Sequence, residues 1–282
     1  MYMIHCFFYV HYKMLKSIFT KKIQPVWKYS SENILWRILF SDTNFLVGEE
    51  RDVTNKKTSF FCIDEKNGKI LWKNLTLDEQ WWIGIEAIVG DKIYFHNFGK
   101  PDMPEHKNII AIELLTGKVL WQNMLCIFLS ADENFVYGFR DMFEKRMFYK
   151  LDIKTGDILQ ESVEPFWKEM QKKNENIIFS EIFNKNSEDK IFVENFFKKN
   201  DIHIFEHCEY IFLNGKLFCN IYTKNKESLQ NTFYIIEKET TKLLYFEILH
   251  SSTPYPVPDS FFIRGSNVYY IKEQKELVAI TV

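Results

Sequence analysis

The sequence predicts an all-β protein, a propeller of four-stranded blades, on three observations. A sixteen-residue pattern recurs four times without a gap. Its spacing of about 40–50 residues is that of propeller blades. The two ends of the chain match complementary halves of the same pattern.

The pattern reads SFFCIDEKNGKILWKN from Ser59, NIIAIELLTGKVLWQN from Asn108, MFYKLDIKTGDILQES from Met147 and TFYIIEKETTKLLYFE from Thr232. Its first arm is rich in Phe, Ile and Tyr, which fit a pleated, half-buried surface. The arm ends on an acid: Asp64, Glu113, Asp152 or Glu237. The turn places Gly68, Gly117 and Gly156 in one column, with Thr241 in the fourth copy. An acid accepts turn N–H groups and glycine tolerates positive φ, so each copy is read as a β-hairpin. The second arm carries a large ring at Trp72, Trp121 and Tyr245, with Gln160 as the exception. Another strand precedes each hairpin, starting at Asn44, Lys92, Asn134 and Lys216. An inner candidate precedes that one, such as ILWRILF from Ile34 or WWIGIEAIV from Trp81.

Gly68 and Gly117 lie 49 residues apart, Gly117 and Gly156 lie 39 apart, and Gly156 and Thr241 lie 85 apart. The last gap is close to two periods, so six blades are expected, with residues 164–207 forming a degenerate one. Five is the alternative if that stretch is an insertion. Within it, Lys190–Lys199 places Phe192, Val193, Phe196 and Phe197 on one helical face. Helical repeats of similar period are disfavoured, because the repeated segments lack a 3.6-residue apolar period.

Leu277–Val282, LVAITV, matches the first arm of the hairpin. Pro25–Tyr29, PVWKY, matches the second, with Trp27 in the tryptophan column. The N-terminal strand is therefore expected to complete the last blade and close the ring, removing an open sheet edge. Residues 1–21 are expected to be an extension, with Met14 an alternative start, and residues 22–282 one propeller domain.

Composition limits the function classes. The 282 residues carry a net charge of −2, with 46% hydrophobic and 26% charged residues, as in an ordinary globular chain. No basic excess is available to neutralise phosphates, so nucleic acid is not an expected partner. Five cysteines without a Cys-x-x-Cys pair point to a reducing, cytoplasmic setting rather than to a disulfide framework or zinc site. The apolar stretch Met3–Tyr12 lacks the basic start and small-residue cleavage site of a signal peptide, and no membrane span is expected.

The motifs IDEKNGKILWKN, IELLTGKVLWQN and LDIKTGDILQES resemble the quinoprotein-like (PQQ-like) propeller repeat. The chain looks like an uncharacterised bacterial family of short propellers, a domain of unknown function. The resemblance implies that Trp72, Trp121 and Trp27 dock against neighbouring blades, with Gln160 departing from the pattern. Quinone-dependent dehydrogenases of that superfamily are larger and hold a calcium-bound cofactor with an Asp base. No adjacent-cysteine pair or calcium carboxylate cluster matches them here, so no cofactor is expected. Periplasmic scaffold members carry a lipoprotein signal, which is not expected here.

Candidate sites are few. No Gly-x-Ser-x-Gly, Walker loop, His-Glu-x-x-His or dinucleotide fingerprint occurs, so no catalytic residue is assigned. His203 and His207 are read on a strand, where such a spacing spans ~13 Å, too far for one ion. Trp81 and Trp82 are read as the start of an inner strand, with core packing favoured over a stacking platform. Long loops are expected at Arg51–Thr58, Gly99–Lys107, Arg140–Arg146 and Thr223–Asn231. They provide a candidate partner-binding face that includes Arg51, Asp52, Arg140 and Asp141. The expectation is a monomeric, non-catalytic scaffold for an unidentified protein partner. A small-ligand sensor or enzyme with its site in the central funnel is the alternative.

Overall fold

The computed structural model describes residues 23–100, 103–166, 176–182, 188–205 and 208–282. The expected extension 1–21, with Met14 and Cys6, lies outside them. Among the described residues the chain forms five antiparallel sheets of four or five strands, the blades of a β-propeller. No helix among them is long and apolar enough to cross a membrane. The chain divides into two compact units, residues 30–175 and residues 1–29 with 176–282.

The chain enters on β1 (Pro25–Ser30), and residues 30–175 then build three successive meanders. The first sheet is β2 (Ile34–Phe40), β3 (Phe45–Asp52), β4 (Lys57–Asp64) and β5 (Ile70–Leu75). The second is β6 (Ile83–Val89), β7 (Lys92–Lys100), β8 (Met103–Glu113) and β9 (Val119–Asn123). The third is β10 (Ile127–Ala131), β11 (Phe135–Asp141), β12 (Arg146–Asp152) and β13 (Ile158–Ser162).

Alternation decides which side chains leave water. Val47, Phe60 and Cys62 of the first sheet pack on Ile85, Ile93, Phe95 and Ile110 of the second. The opposite face of the second sheet gives Tyr94, Ile109 and Ala111 to a core shared with Val136 and Leu151 of the third. Burial pushes the Cys62 thiol up to about 12 and the Cys126 thiol to about 11, so both behave as inert core groups.

The hairpin turns follow one chemistry. Asp152 Oδ1 accepts the N–H groups of Lys154 and Thr155 at 2.7 and 2.9 Å, and these bonds hold its carboxyl below the ordinary range. Gly156 N–H then donates to the Asp152 carbonyl at 2.9 Å. Asp64 receives Lys66 N–H at 2.8 Å, and the longer Glu113 and Glu237 reach the hydroxyls of Thr116 and Thr240 instead.

The rings of the first two sheets seat on the turn of the next sheet. Trp72 Nε1–H donates to the Leu114 carbonyl at 2.8 Å, and Trp121 Nε1–H donates to the Ile153 carbonyl at 3.0 Å. Leu114 and Ile153 both follow the turn acid. Gln160, in the same column of the third sheet, is exposed.

The other unit holds the fourth and fifth sheets. The fourth is β14 (Ile177–Phe179)'s chain successor β15 (Glu181–Ile182), then β16 (Cys208–Leu213), β17 (Lys216–Asn225), β18 (Ser228–Glu237) and β19 (Lys242–Thr253). The fifth runs β1, β22 (Glu276–Thr281), β21 (Asn267–Lys272), β20 (Phe261–Arg264), β14. The N-terminal strand thus lies beside the last strand as its outer neighbour, with Trp27 and Tyr29 buried. Tyr245, in the tryptophan column, shares a 2.7 Å hydroxyl bond with Tyr270 of the fifth sheet.

Of the two blade counts, five is the number of sheets among the described residues. Among its described residues the stretch 164–207 supplies strand only in two short pieces, which split around Ser180 and add to the first-strand edges of two different sheets. The remainder includes α1 (Glu188–Lys199), whose Val193, Phe196 and Phe197 bury against Leu217, Ile221 and Tyr234 of the fourth sheet. A 3.6-residue apolar period cannot present one face as a strand, which is why this segment packs on a sheet and does not make one.

Candidate functional site

The expected long loops are short. Four residues join β3 to β4, four join β11 to β12 and two join β17 to β18; residues 101–102, in the expected loop Gly99–Lys107, lie outside the described residues. Cross-strand pairing carries the ladders into segments read as loop. Asp141 stands opposite Arg146 and takes two hydrogen bonds from its guanidinium, at 2.6 and 3.1 Å. Lys56 and Lys226 adopt positive φ, which lets the neighbouring turns stay tight.

This changes the candidate face. Arg51 lies in β3 and is buried, so it is corrected from a surface residue to an internal one. Its Nε–H donates to Glu49 Oε1 at 2.7 Å, and its terminal nitrogens donate to the Trp81 and Ile83 carbonyls, both at 2.7 Å. It fixes the connection that carries the chain from the first sheet into the second. Asp52 beside it is bound by Asn55. Trp81 and Trp82 lie in that connection, ahead of β6, and meet edge to face at 6.4 Å. The Arg51 guanidinium covers the Trp81 ring at 5.0 Å. Glu209 plays the matching part in the other unit, accepting the N–H groups of Asp259 and Ser260 at 2.8 and 3.2 Å.

Arg140 and Asp141 remain at the surface. With Glu105, His106, Lys107, Leu125 and Ile127 they line a shallow cleft of about 300 Å³ between the second and third sheets. Beside it Met124, Leu125 and Met142 are exposed, and Phe143 at the tip of the β11–β12 turn is fully so.

His106 belongs to a second arrangement that reaches inward from the cleft. Glu86 on β6, His96 on β7 and His106 on β8 bring their ligating atoms within 4.8 Å of one another. Sequence reasoning passed over all three. Two bulges align them. Ile85 pairs with Phe95 and Ala87 with Tyr94, so Glu86 is the extra residue of β6. The inner strands of the first and third sheets carry bulges at the same point, where Trp36 and Leu129 stand. Between β7 and β8, His96 faces both Asn108 and Ile109, a second bulge at which Asn108 takes φ of 62°.

His106 Nδ1 is 2.6 Å from Glu86 Oε1, and His96 Nδ1 is 3.0 Å from the same oxygen. The two imidazoles stack at 3.5 Å and 7°. Phe98 meets both edge-on, at 4.8 and 5.4 Å. Burial pulls the Glu86 carboxyl upward, but the adjacent His96 and His106 rings outweigh this and hold it below its ordinary value. Burial pushes His96 down, which favours its neutral form. His203, by contrast, is exposed in an irregular segment after α1, and His207 lies outside the described residues.

Residues 40–121 match the model of a domain of unknown function, DUF4905. That span contains Arg51, Glu86, His96 and His106 and less than a third of the chain. No curated protein matches. Among solved structures, the AfRom2 CNH domain aligns with 92% of this chain and 98% of its own, at 10% identity and a TM-score of 0.33. The quinohemoprotein alcohol dehydrogenase ADHIIG from Pseudomonas putida HK5 aligns with 92% of this chain, at 9% identity and a TM-score of 0.30. This chain spans 44% of that enzyme. Likenesses at these scores carry no argument about activity, and the blade assignment rests on the sheets themselves.

Proposed function

We propose that the chain is a non-catalytic interaction scaffold that holds a protein partner at the cleft between the second and third sheets. The observation that carries this is Phe143, fully exposed at the tip of a hairpin and flanked by exposed Met142 and the ion pair of Asp141 with Arg146. Met124 and Leu125 are exposed as well, and exposed apolar side chains set among charged ones are the pattern of a protein contact site. The partner segment would offer an apolar anchor and charges able to meet Arg140, Lys107 and Glu105. The reading takes the chain as a cytoplasmic monomer and a single propeller domain closed by β1. Reduced, buried Cys62, Cys126, Cys208 and Cys219 support the compartment. Phe143→Asp and Arg140→Glu should each remove the same partner from proximity labelling in the native cell, with melting curves unchanged. An identical labelled set for wild type and both variants would sink the proposal.

The alternative, a small-ligand sensor or enzyme, is favoured by one observation, the convergence of Glu86, His96 and His106.

A further inference from the structure

We infer that Glu86, His96 and His106 bind one divalent transition-metal ion at the inner end of the cleft, a site independent of the scaffold reading. The donor set is the first argument. Two imidazoles and one carboxylate suit zinc, iron, nickel or copper, whereas calcium and magnesium take oxygen ligands. Three protein ligands also leave coordination positions for water or a ligand atom, as in open zinc sites.

Placement is the second argument. The ligands stand on three neighbouring strands of one sheet, so their Cα positions are fixed by ladder hydrogen bonds. Exposure grades across the site: the His96 side chain is 1% exposed, that of Glu86 16% and that of His106 32%. An ion enters from the cleft, on the His106 side, and meets the buried imidazole last.

The third argument is the state of His96. Its Nε2 has no hydrogen-bond partner, and its Nδ1, although 3.0 Å from Glu86 Oε1, is off the line that a hydrogen bond needs. A buried ring with both nitrogens unsatisfied is costly, and such a group calls for an explanation. Ligation through Nδ1 satisfies one of them. Gly84, paired with His96 across the ladder, leaves room for the ring: a Cβ there would stand 3.0 Å from His96 Cε1 and 3.1 Å from Nε2.

Ligation requires a small adjustment. Ligands on bonds of about 2.0–2.1 Å at the tetrahedral angle stand about 3.3 Å apart. Glu86 Oε1 is nearer than that to both nitrogens, so the carboxylate must step back. Parallel rings direct their lone pairs side by side, so one ring must tilt. His106, at 32% the less buried of the two, is the ring to tilt.

The test uses the full chain stripped of metal by a chelator. Calorimetry with zinc alone should show one saturable equivalent, and cobalt should give visible d–d bands of a four- or five-coordinate site. His106→Ala should weaken zinc binding by more than about tenfold, the scale at which even outer partners of a ligand act. Glu86→Gln, which keeps the side chain's shape, should do the same and serves if His106→Ala fails to fold. His203→Ala should leave the affinity unchanged. The inference is overturned if no saturable equivalent appears, or if folded Glu86→Gln binds zinc as wild type does. Partner labelling that still depends on Phe143 would leave the scaffold reading standing in either case.

Discussion

Arg51 shows how a single side chain is committed by its surroundings. Its guanidinium is 2.6 Å from Glu49 Oε1, and both side chains are almost wholly buried. Four groups then depend on it: the Glu49 carboxylate, the Trp81 and Ile83 carbonyls, and the Trp81 ring. Removing one partner of a buried pair leaves an uncompensated charge, which costs about 3–5 kcal/mol. Arg51→Ala is therefore expected to lower the urea unfolding free energy by that order. Arg146→Ala breaks an ion pair whose side chains are half exposed, and should cost less than about 1 kcal/mol. Equal losses for the two variants would show that Arg51 is not the pin of this connection. The run Glu49–Asp52 reads in sequence as a solvated loop, because four adjacent charged residues usually are one. Nothing local announces that β3 extends through it and that the carbonyls of Trp81 and Ile83 await a donor.

At the scale of the element, the hairpin is where sequence and structure agree most closely. The acid, the turn and the positive-φ residue act within a few positions of one another, so their chemistry is visible in the chain itself. The docking of Trp72 and Trp121 on the next turn adds a second demand on the glycine. Gly156 has φ of 74°, and a Cβ there would lie 2.4 Å from Trp121 Cε3. Gly215, in the β16–β17 turn, has a similar φ of 73° with nothing within 4 Å. Gly215→Ala should therefore cost only the left-handed backbone penalty, about 1–2 kcal/mol. Gly156→Ala should cost that plus about 1–3 kcal/mol for overpacking against the indole. The difference between the two urea curves isolates the docking contribution, and no difference would mean that the ring yields freely. The candidate metal ligands had no such local signature. Glu86, His96 and His106 are ten residues apart in sequence and meet only because two bulges shift the register of β6 and β8. One signal was present: His96 directly follows the apolar run Ile93–Phe95 in KIYFHNFGK, at a position the alternation places inside.

Across the whole molecule, the placement of β1 ties the first described residues to the last. Its pairing with β22 puts the first and last described strands in one sheet, and residues 30–175 form their own compact unit. Deleting residues 1–30 would uncover the outer edge of β22 and the surface that Trp27 and Tyr29 now cover. An uncovered edge strand invites pairing with another chain, so the truncated protein should melt earlier and elute partly as larger species. The same deletion separates the probes. Of the seven tryptophans, only Trp27 lies outside residues 30–175, and it is removed, so the remaining indole emission reports on that unit alone. Far-ultraviolet circular dichroism reports on strands of both units. If the propeller is one cooperative domain, both signals should shift to the same lower midpoint. A tryptophan transition that stays at the wild-type temperature while the dichroism falls early would show two units unfolding separately. The single-domain reading would then be lost, and β1 would be a stabiliser of the fifth sheet alone.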